Sequence, residues 1–217
     1  MTELRQQLIA TAQRMVAEGL NKCTSGNLSV RAEEQGEPGF LITPTSMAYD
    51  TLNAADIVFM RLDGSHTGRC KPSTEWRFHR DIYATRPEAG AIVHAHSPFA
   101  VSLACLRREI PPFHYMIARF GGTTLRCSDY ATFGTQALSD AALLAMQGRN
   151  ACLLANHGML VFGRNLDQAL DLGIELETLC EQYWRACQLG QPVLLSDEEM
   201  ATVLDKFAGY GQQETTL

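Results

Sequence analysis

Ala91-Ile92-Val93-His94-Ala95-His96-Ser97-Pro98 is the stretch from which the fold can be read. Ala91 to Val93 form a short apolar strand. Strand side chains alternate between faces, so His94 and His96, two residues apart, project from the same side. Two imidazoles then aim at one point. Ser97 followed by Pro98 reads as a helix start, with the serine as N-cap and the proline at the first helical position. The pair therefore sits at the end of a strand, where open α/β sheets place ligands.

By itself, H-x-H fits two surface histidines on a half-exposed strand at least as well as a metal site. Two further residues in similar settings favour the metal. Glu75 follows Pro72-Ser73-Thr74 at a helix start, and His157 follows the apolar run Ala151 to Ala155 and precedes Gly158. Three imidazoles and a carboxylate suit Zn²⁺ or a related divalent ion such as Mn²⁺ or Co²⁺, and the carboxylate is the one ligand that can also leave to do chemistry. His79, four residues after Glu75, is left to a supporting or packing role. His66 lies in an exposed connection and receives none.

The remaining chain reads as alternating helices and strands. Leu4, Leu8, Ala12 and Met15 mark a packing helix over residues 3–18, stopped at Gly19. Strands are expected at 28–31, 40–42, 57–60, 125–127, 151–155 and 159–162. Between them, Thr24-Ser25-Gly26-Asn27 and Thr43-Pro44-Thr45-Ser46 are small hydroxyl-rich loops that can face each other, and the backbone N–H groups of such turns can cradle an anion. Pro72-Ser73-Thr74-Glu75 is expected to open a helix running through Tyr83, with free N–H groups suited to phosphate at its start. Further helices are expected at 99–106, 136–146 and 166–189, and the capping box Ser196-Asp197-Glu198-Glu199 starts a last one ending near Ala208. The aromatic segment Phe113 to Ile117 is assigned to no element.

The 217 residues suffice for one well-buried core, and no internal repeat or interdomain linker is visible, so a single domain over 1–217 is expected. Hydrophobic residues make up 46% and charged residues 19% of the chain, a globular balance. No apolar run reaches the roughly 18 residues of a spanning helix, so no membrane partner is expected. A net charge of -6 argues against nucleic acid as a partner, because phosphate-backbone binding relies on clustered Lys and Arg. Seven cysteines without a C-x-x-C pair read as reduced small hydrophobes. The N-terminal M-T-E-L-R-Q-Q-L has no apolar signal core, and a cytoplasmic protein is the expectation.

Several strings, in this order, resemble the class II aldolase/adducin family: G-L-N-K-C-T-S-G-N-L-S-V-R (19–31), I-T-P-T (42–45), K-P-S-T-E-W-R-F-H (71–79), V-H-A-H (93–96), H-Y-M-I-A (114–118), Y-A-T-F-G-T (130–135), N-H-G (156–158) and L-S-D-E-E (195–199). None is decisive alone; as an ordered set running almost end to end they are specific. Within the family the chain resembles the L-fuculose-1-phosphate aldolase type, with 5-deoxyribulose-1-phosphate and methylthioribulose-1-phosphate aldolases similarly close.

The resemblance implies a three-layer α/β/α fold around a largely antiparallel sheet, and a homotetramer with active sites between subunits. It implies Zn²⁺ held by His94, His96 and His157, with Glu75 as fourth ligand and catalytic acid/base. Phosphate of a small sugar substrate would lie at Asn27, Thr45, Ser46, Ser73 and Thr74, with the turn Thr24 to Gly26 nearby. Tyr115 would reach a neighbouring subunit's site as proton donor, and Phe133 and Tyr210 would shape the aldehyde end. Ser46 stands where the fuculose type has glycine and Thr74 where it has a second serine, and both changes keep or add hydroxyl donors.

The implied reaction is reversible cleavage of a (deoxy)ketose 1-phosphate to dihydroxyacetone phosphate and a short aldehyde. The same scaffold also admits a methylthioribulose-1-phosphate dehydratase, a pentulose-5-phosphate 4-epimerase and a non-catalytic adducin-like binding module. The epimerases carry Asp at the Glu75 position, and the binding module requires the metal ligands to be missing.

Overall fold

The computed structural model describes residues 1–22 and 24–208. In chain order its elements are α1 (Thr2–Ala17), β1 (Asn27–Glu34), β2 (Glu37–Ile42), β3 (Val58–Arg61), β4 (His66–Thr67), α2 (Trp76–Thr85), β5 (Ala91–Ala95), α3 (Pro98–Ala104), β6 (Cys127–Ser128), α4 (Gln136–Ala145), β7 (Ala151–Leu154), β8 (Gly158–Gly163), α5 (Leu166–Leu189) and α6 (Asp197–Ala208). All eight strands join one sheet in the order β4-β3-β2-β1-β5-β8-β7-β6. Every pairing is antiparallel except β6 with β7. The sheet is largely antiparallel, as expected.

β5 lies inside this sheet, paired to β1 on one side and β8 on the other. Its register sets Asn27 opposite His94. A strand covered on both faces needs no polar alternation, which is why A-I-V-H-A reads as a nearly continuous apolar run. Ala91, Val93 and Ala95 face one apolar layer, packed with residues of α1, α3, α5 and α6. Ile92 faces the other, with Phe78, Ile82 and Tyr83 of α2 and Leu138 and Ala142 of α4. Helices thus cover both faces in three layers. His94 shares the parity of Ile92 and meets the edge of Phe78, with ring centroids 5.4 Å apart.

Most expected elements form, with shifted ends. The helix expected from Pro72 begins at Trp76, and Glu75 is its N-cap. Tertiary bonds hold the preceding residues out of the helix: Ser73 N donates to Thr43 O at 3.1 Å, and Thr45 N to Lys71 O at 3.1 Å. Phe113 to Ile117 leads into a 3-10 helix over Tyr115–Phe120, where the His114 ring accepts from Met116 N and Gly121, at φ 88°, ends the turn. His66 is exposed but pairs with Met60 in the two-residue β4. The capping box forms: Ser196 N donates to Glu199 Oε2 at 2.7 Å, and Glu199 N to Ser196 Oγ at 3.2 Å. The six described cysteines are unpaired, and no helix among the described residues is long and apolar enough to cross a membrane.

Ser97 and Pro98 take the expected first positions of α3, but the hydrogen bonds that close that end come from elsewhere. Ser97 is the N-cap of α3, but its side chain caps nothing. Its hydroxyl donates to Glu177 Oε2 at 2.7 Å, and the same carboxylate of α5 accepts from Phe99 N at 2.8 Å and Ala100 N at 2.9 Å. A carboxylate on free N–H groups at the positive end of a helix combines hydrogen bonding with dipole stabilisation. Glu177 thereby fixes α3 to α5 directly after the strand that carries the histidines. Glu177→Ala should lower unfolding free energy by about 1–3 kcal/mol, and Glu177→Gln, which keeps an acceptor, by less. Denaturant unfolding at matched protein concentration measures both, and a loss below about 0.5 kcal/mol for the alanine variant would show that the cap is dispensable.

Candidate metal centre and active-site cavity

The structure brings Glu75, His94, His96 and His157 together, with one ligand atom from each lying within 4.8 Å of the others. They come from three places in the fold: the cap of α2, the end of β5 and the turn between β7 and β8. His94 and His96 follow from the strand period. His157 is delivered by a tight turn in which Asn156 takes a left-handed φ of 54°. Gly158 is required by crowding, because a Cβ there would stand 2.4 Å from the Ala95 carbonyl oxygen and 3.1 Å from His96 Cδ2.

The three imidazoles stand nearly perpendicular to one another, with centroids 4.8–4.9 Å apart. His94 Nδ1–H donates to Met159 O at 2.9 Å, which fixes the ring and turns Nε2 into the cluster. There it lies 3.0 Å from His96 Nε2 and 3.1 Å from Glu75 Oε2. His157 Nε2 is 3.2 Å from Glu75 Oε1. His96 is held through its backbone N–H, which donates to Asn21 Oδ1 at 3.1 Å.

Electrostatics follow from this packing. Burial works against charge on Glu75, yet the charge and hydrogen bond of His94, with His157 and Asn27, hold its carboxyl well below the usual range. Burial likewise opposes charge on His94, but Glu75 outweighs it and raises that imidazole. Burial first, and the charge of His94 second, depress His96 to about 4 and His157 to about 3, so both are neutral at neutral pH with a lone pair to offer.

A carboxylate held ionised at this depth favours positive charge beside it. Glu75 Oε1 is buried without a hydrogen-bond partner. An orphaned carboxylate oxygen beside three converging imidazole nitrogens fits a divalent transition-metal ion.

The cluster opens into a cavity of about 330 Å³. Among the sequence-predicted residues it is lined by Thr24, Gly26, Asn27, Thr45, Ser46, Ser73, Thr74, Glu75, His96, Phe133 and His157. His94 is fully buried behind this wall. The two hydroxyl-rich loops do face each other: Thr43 N donates to Leu28 O at 3.0 Å, Leu28 N to Thr43 Oγ1 at 3.2 Å, and Tyr49 Oη to Gly26 O at 3.0 Å. Gly26, at φ 76°, backs onto Asn21, which leaves no room for a Cβ. Ser46 takes a φ of 57°, a conformation that glycine adopts freely and serine does not.

Tyr130 and Asn156, to which the sequence assigns no site role, also line the cavity. Arg107 ties them together, lying 5.5 Å over the Tyr130 ring and donating to Asn156 Oδ1 at 2.6 Å. The placement of both within the quoted strings Y-A-T-F-G-T and N-H-G was the available signal. Tyr115 is half exposed and lines a different cavity of its own chain, with Met116, Arg119, Val203, Lys206 and Phe207. Tyr210 lies outside the described residues.

Residues 6–184 match the family described as class II aldolase and adducin N-terminal domain. A 5-methylthioribulose-1-phosphate/5-deoxyribulose-1-phosphate aldolase of Rhodospirillum rubrum is 53% identical over 208 residues, covering 96% of this chain and 92% of that protein. An L-fuculose phosphate aldolase of Escherichia coli is 44% identical over 210 residues, covering 96% of each. A solved structure of an L-fuculose 1-phosphate aldolase superposes with a TM-score of 0.91 at 40% identity, covering 96% of this chain and 97% of that one. With fold, cluster and sequence in agreement over nearly its whole length, the chain belongs to the class II aldolase and adducin family.

Proposed function

We propose that this protein is a metal-dependent sugar-phosphate aldolase. It reversibly cleaves a (deoxy)ketose 1-phosphate, of the 5-deoxyribulose, methylthioribulose or L-fuculose type, to dihydroxyacetone phosphate and a short aldehyde. The observation that carries this reading is the cluster of three histidines and Glu75 at the end of a hydroxyl-lined cavity. The aldolase relatives, named for 5-methylthioribulose-1-phosphate/5-deoxyribulose-1-phosphate and L-fuculose phosphate, support the substrate class. His94, His96, His157 and Glu75 would hold the ion, Zn²⁺ being the best match to that donor set. When bound, the metal supplies the Lewis acid that stabilises negative charge developing as C3–C4 breaks.

The chain's own residues do the remaining work. Neutral hydroxyls and N–H groups around Thr24 to Asn27, Thr45, Ser46, Ser73 and Thr74 grip the phosphate and fix one end of the ketose. Glu75 moves the proton at C3, its Oε1 carrying no hydrogen bond that would compete. Tyr115, absent from the lining of the cavity at its own chain's cluster, serves the C4 oxygen in a neighbouring subunit of a homotetramer. Phe133 and Tyr210 bound the aldehyde end.

Metal removal should abolish cleavage while leaving the fold intact, because β5, β7 and β8, which flank the histidines, are held by strand pairing and apolar burial. Chelation followed by activity assay and circular dichroism checks this, and full turnover in verified metal-free protein would overturn it. Glu75→Gln should keep most of the metal on three imidazoles yet lose about 10²–10⁴-fold in rate. Metal analysis beside kinetics separates the two effects.

The substrate end gives a third expectation. Phe133 and Tyr130 present exposed aromatic surface at the cavity, so deoxy or methylthio ketose 1-phosphates should be cleaved with higher kcat/KM than hydroxylated partners of the same configuration. A hydroxyl buried there without a partner costs about 1–3 kcal/mol. Coupled detection of dihydroxyacetone phosphate makes the comparison. It also separates the aldolase from a dehydratase or epimerase, which release none.

A further inference from the structure

Behind the Glu75 carboxylate runs a line of buried polar groups, of which the proposed chemistry has used only Asn27. Asn27 Nδ2 donates to Glu75 Oε2 at 2.9 Å. Asn27 Oδ1 lies 2.5 Å from His79 Nε2, His79 Nδ1 lies 2.7 Å from Ser29 Oγ, and Ser29 Oγ lies 2.9 Å from Tyr83 Oη. All four residues are 2% exposed or less. β1 supplies Asn27 and Ser29, two apart on one face, while α2 supplies His79 and Tyr83, one turn apart on theirs. The line exists because two periodicities meet.

Only one direction of donation satisfies it. Glu75 is a carboxylate and accepts, so Asn27 must turn its amide N–H to it and its carbonyl oxygen to His79. His79 Nε2 must then carry the proton. Burial first, and the charge of His94 second, push this imidazole down to about 3, so it is neutral and Nδ1 is a bare acceptor. Ser29 therefore donates to Nδ1, and Tyr83 donates to Ser29. The line ends at Tyr83, buried beneath the Arg31 guanidinium at 4.9 Å, with no opening to solvent. It cannot carry protons to water. What it can do is hold an amide in one of its two orientations.

We propose that His79 is a positioning residue. As the neutral Nε2–H tautomer it locks the Asn27 amide with its N–H toward Glu75, and so holds that carboxylate at the angle from which it handles the substrate proton. Without the His79 donor, Asn27 is free to rotate and set its carbonyl oxygen against Glu75 Oε2, acceptor against acceptor. The catalytic consequence rests on the aldolase reading; the orientation itself rests on hydrogen-bond geometry. A packing role alone, between Phe40 at 6.4 Å and Phe78 at 4.8 Å, would be met equally by leucine.

Two measurements test this. Protein labelled with ¹⁵N-histidine, with the His79 signals identified by their loss in His79→Gln, should show Nε2 protonated and Nδ1 bare across the neutral range, with and without Zn²⁺. An Nδ1–H tautomer or an imidazolium would overturn the assignment, whatever the enzyme proves to do. In kinetics, His79→Leu should lower kcat on the order of 10–100-fold with metal content and KM near wild type. His79→Gln, which restores an N–H near the Nε2 position, should recover most of the rate. Equal rates for the two variants, or a kcat loss matched by metal loss, would reduce His79 to packing. If the wild-type protein cleaves no ketose 1-phosphate, the aldolase reading fails, and the tautomer still decides the role of His79.

Discussion

An ionised carboxylate buried among imidazoles needs a positive charge beside it, and much of this structure can be read as the means of meeting that need. Glu75 is 7% exposed, and an unpaired charge at such depth would be strongly destabilising. The β1–β5 register sets Asn27 opposite His94 and so within reach of Glu75. The β7–β8 turn brings His157 from the other side, at the cost of a residue with no Cβ where β5 passes. The Met159 carbonyl turns His94 inward from the neighbouring strand. Strand order and register thus decide where the ligands stand.

The parts of this that could be read from the sequence are those governed by short-range period. A-I-V-H-A-H announces both its strand and the shared face of its histidines, and the long helix α5 matches its expected bounds of 166–189. The start of α2 was misjudged because Pro-Ser-Thr-Glu has the composition of a first turn, whereas Ser73 N is claimed by Thr43 O and Thr45 N by Lys71 O across a bridge between Pro44 and Pro72. Ser97 has the right chemistry for a cap, but its hydroxyl is drawn to Glu177, a partner that no local window contains. In the cavity, the hydroxyl loops and their ability to face each other were legible, but not what fixes that confrontation. It depends on the pairing of Leu28 with Thr43 and on the reach of Tyr49 to Gly26.

Among the described residues, the cavity wall carries no lysine or arginine. An anion held there is met by dipoles instead of full charges: threonine and serine hydroxyls, and backbone N–H groups in turns. The one formal countercharge the site invites lies at the histidine cluster. The cavity is thus electrically divided, neutral donors at one end and a cation demand at the other. That suits a ligand whose negative charge is permanent at its phosphate and transient at its centre, because charge complementarity is then strongest where charge develops during reaction.

Ser46 gives this division a thermodynamic reading. Its left-handed backbone is one that a β-carbon disfavours by roughly 1–2 kcal/mol, and it sits in the wall of the cavity with its hydroxyl 3.4 Å from that of Thr45. Glycine would relax the loop and remove one of the neutral donors. At this position the stability of the empty protein and its grip on an anion pull in opposite directions, so a search for thermostable variants would be drawn to residue 46 and would weaken the site by succeeding there.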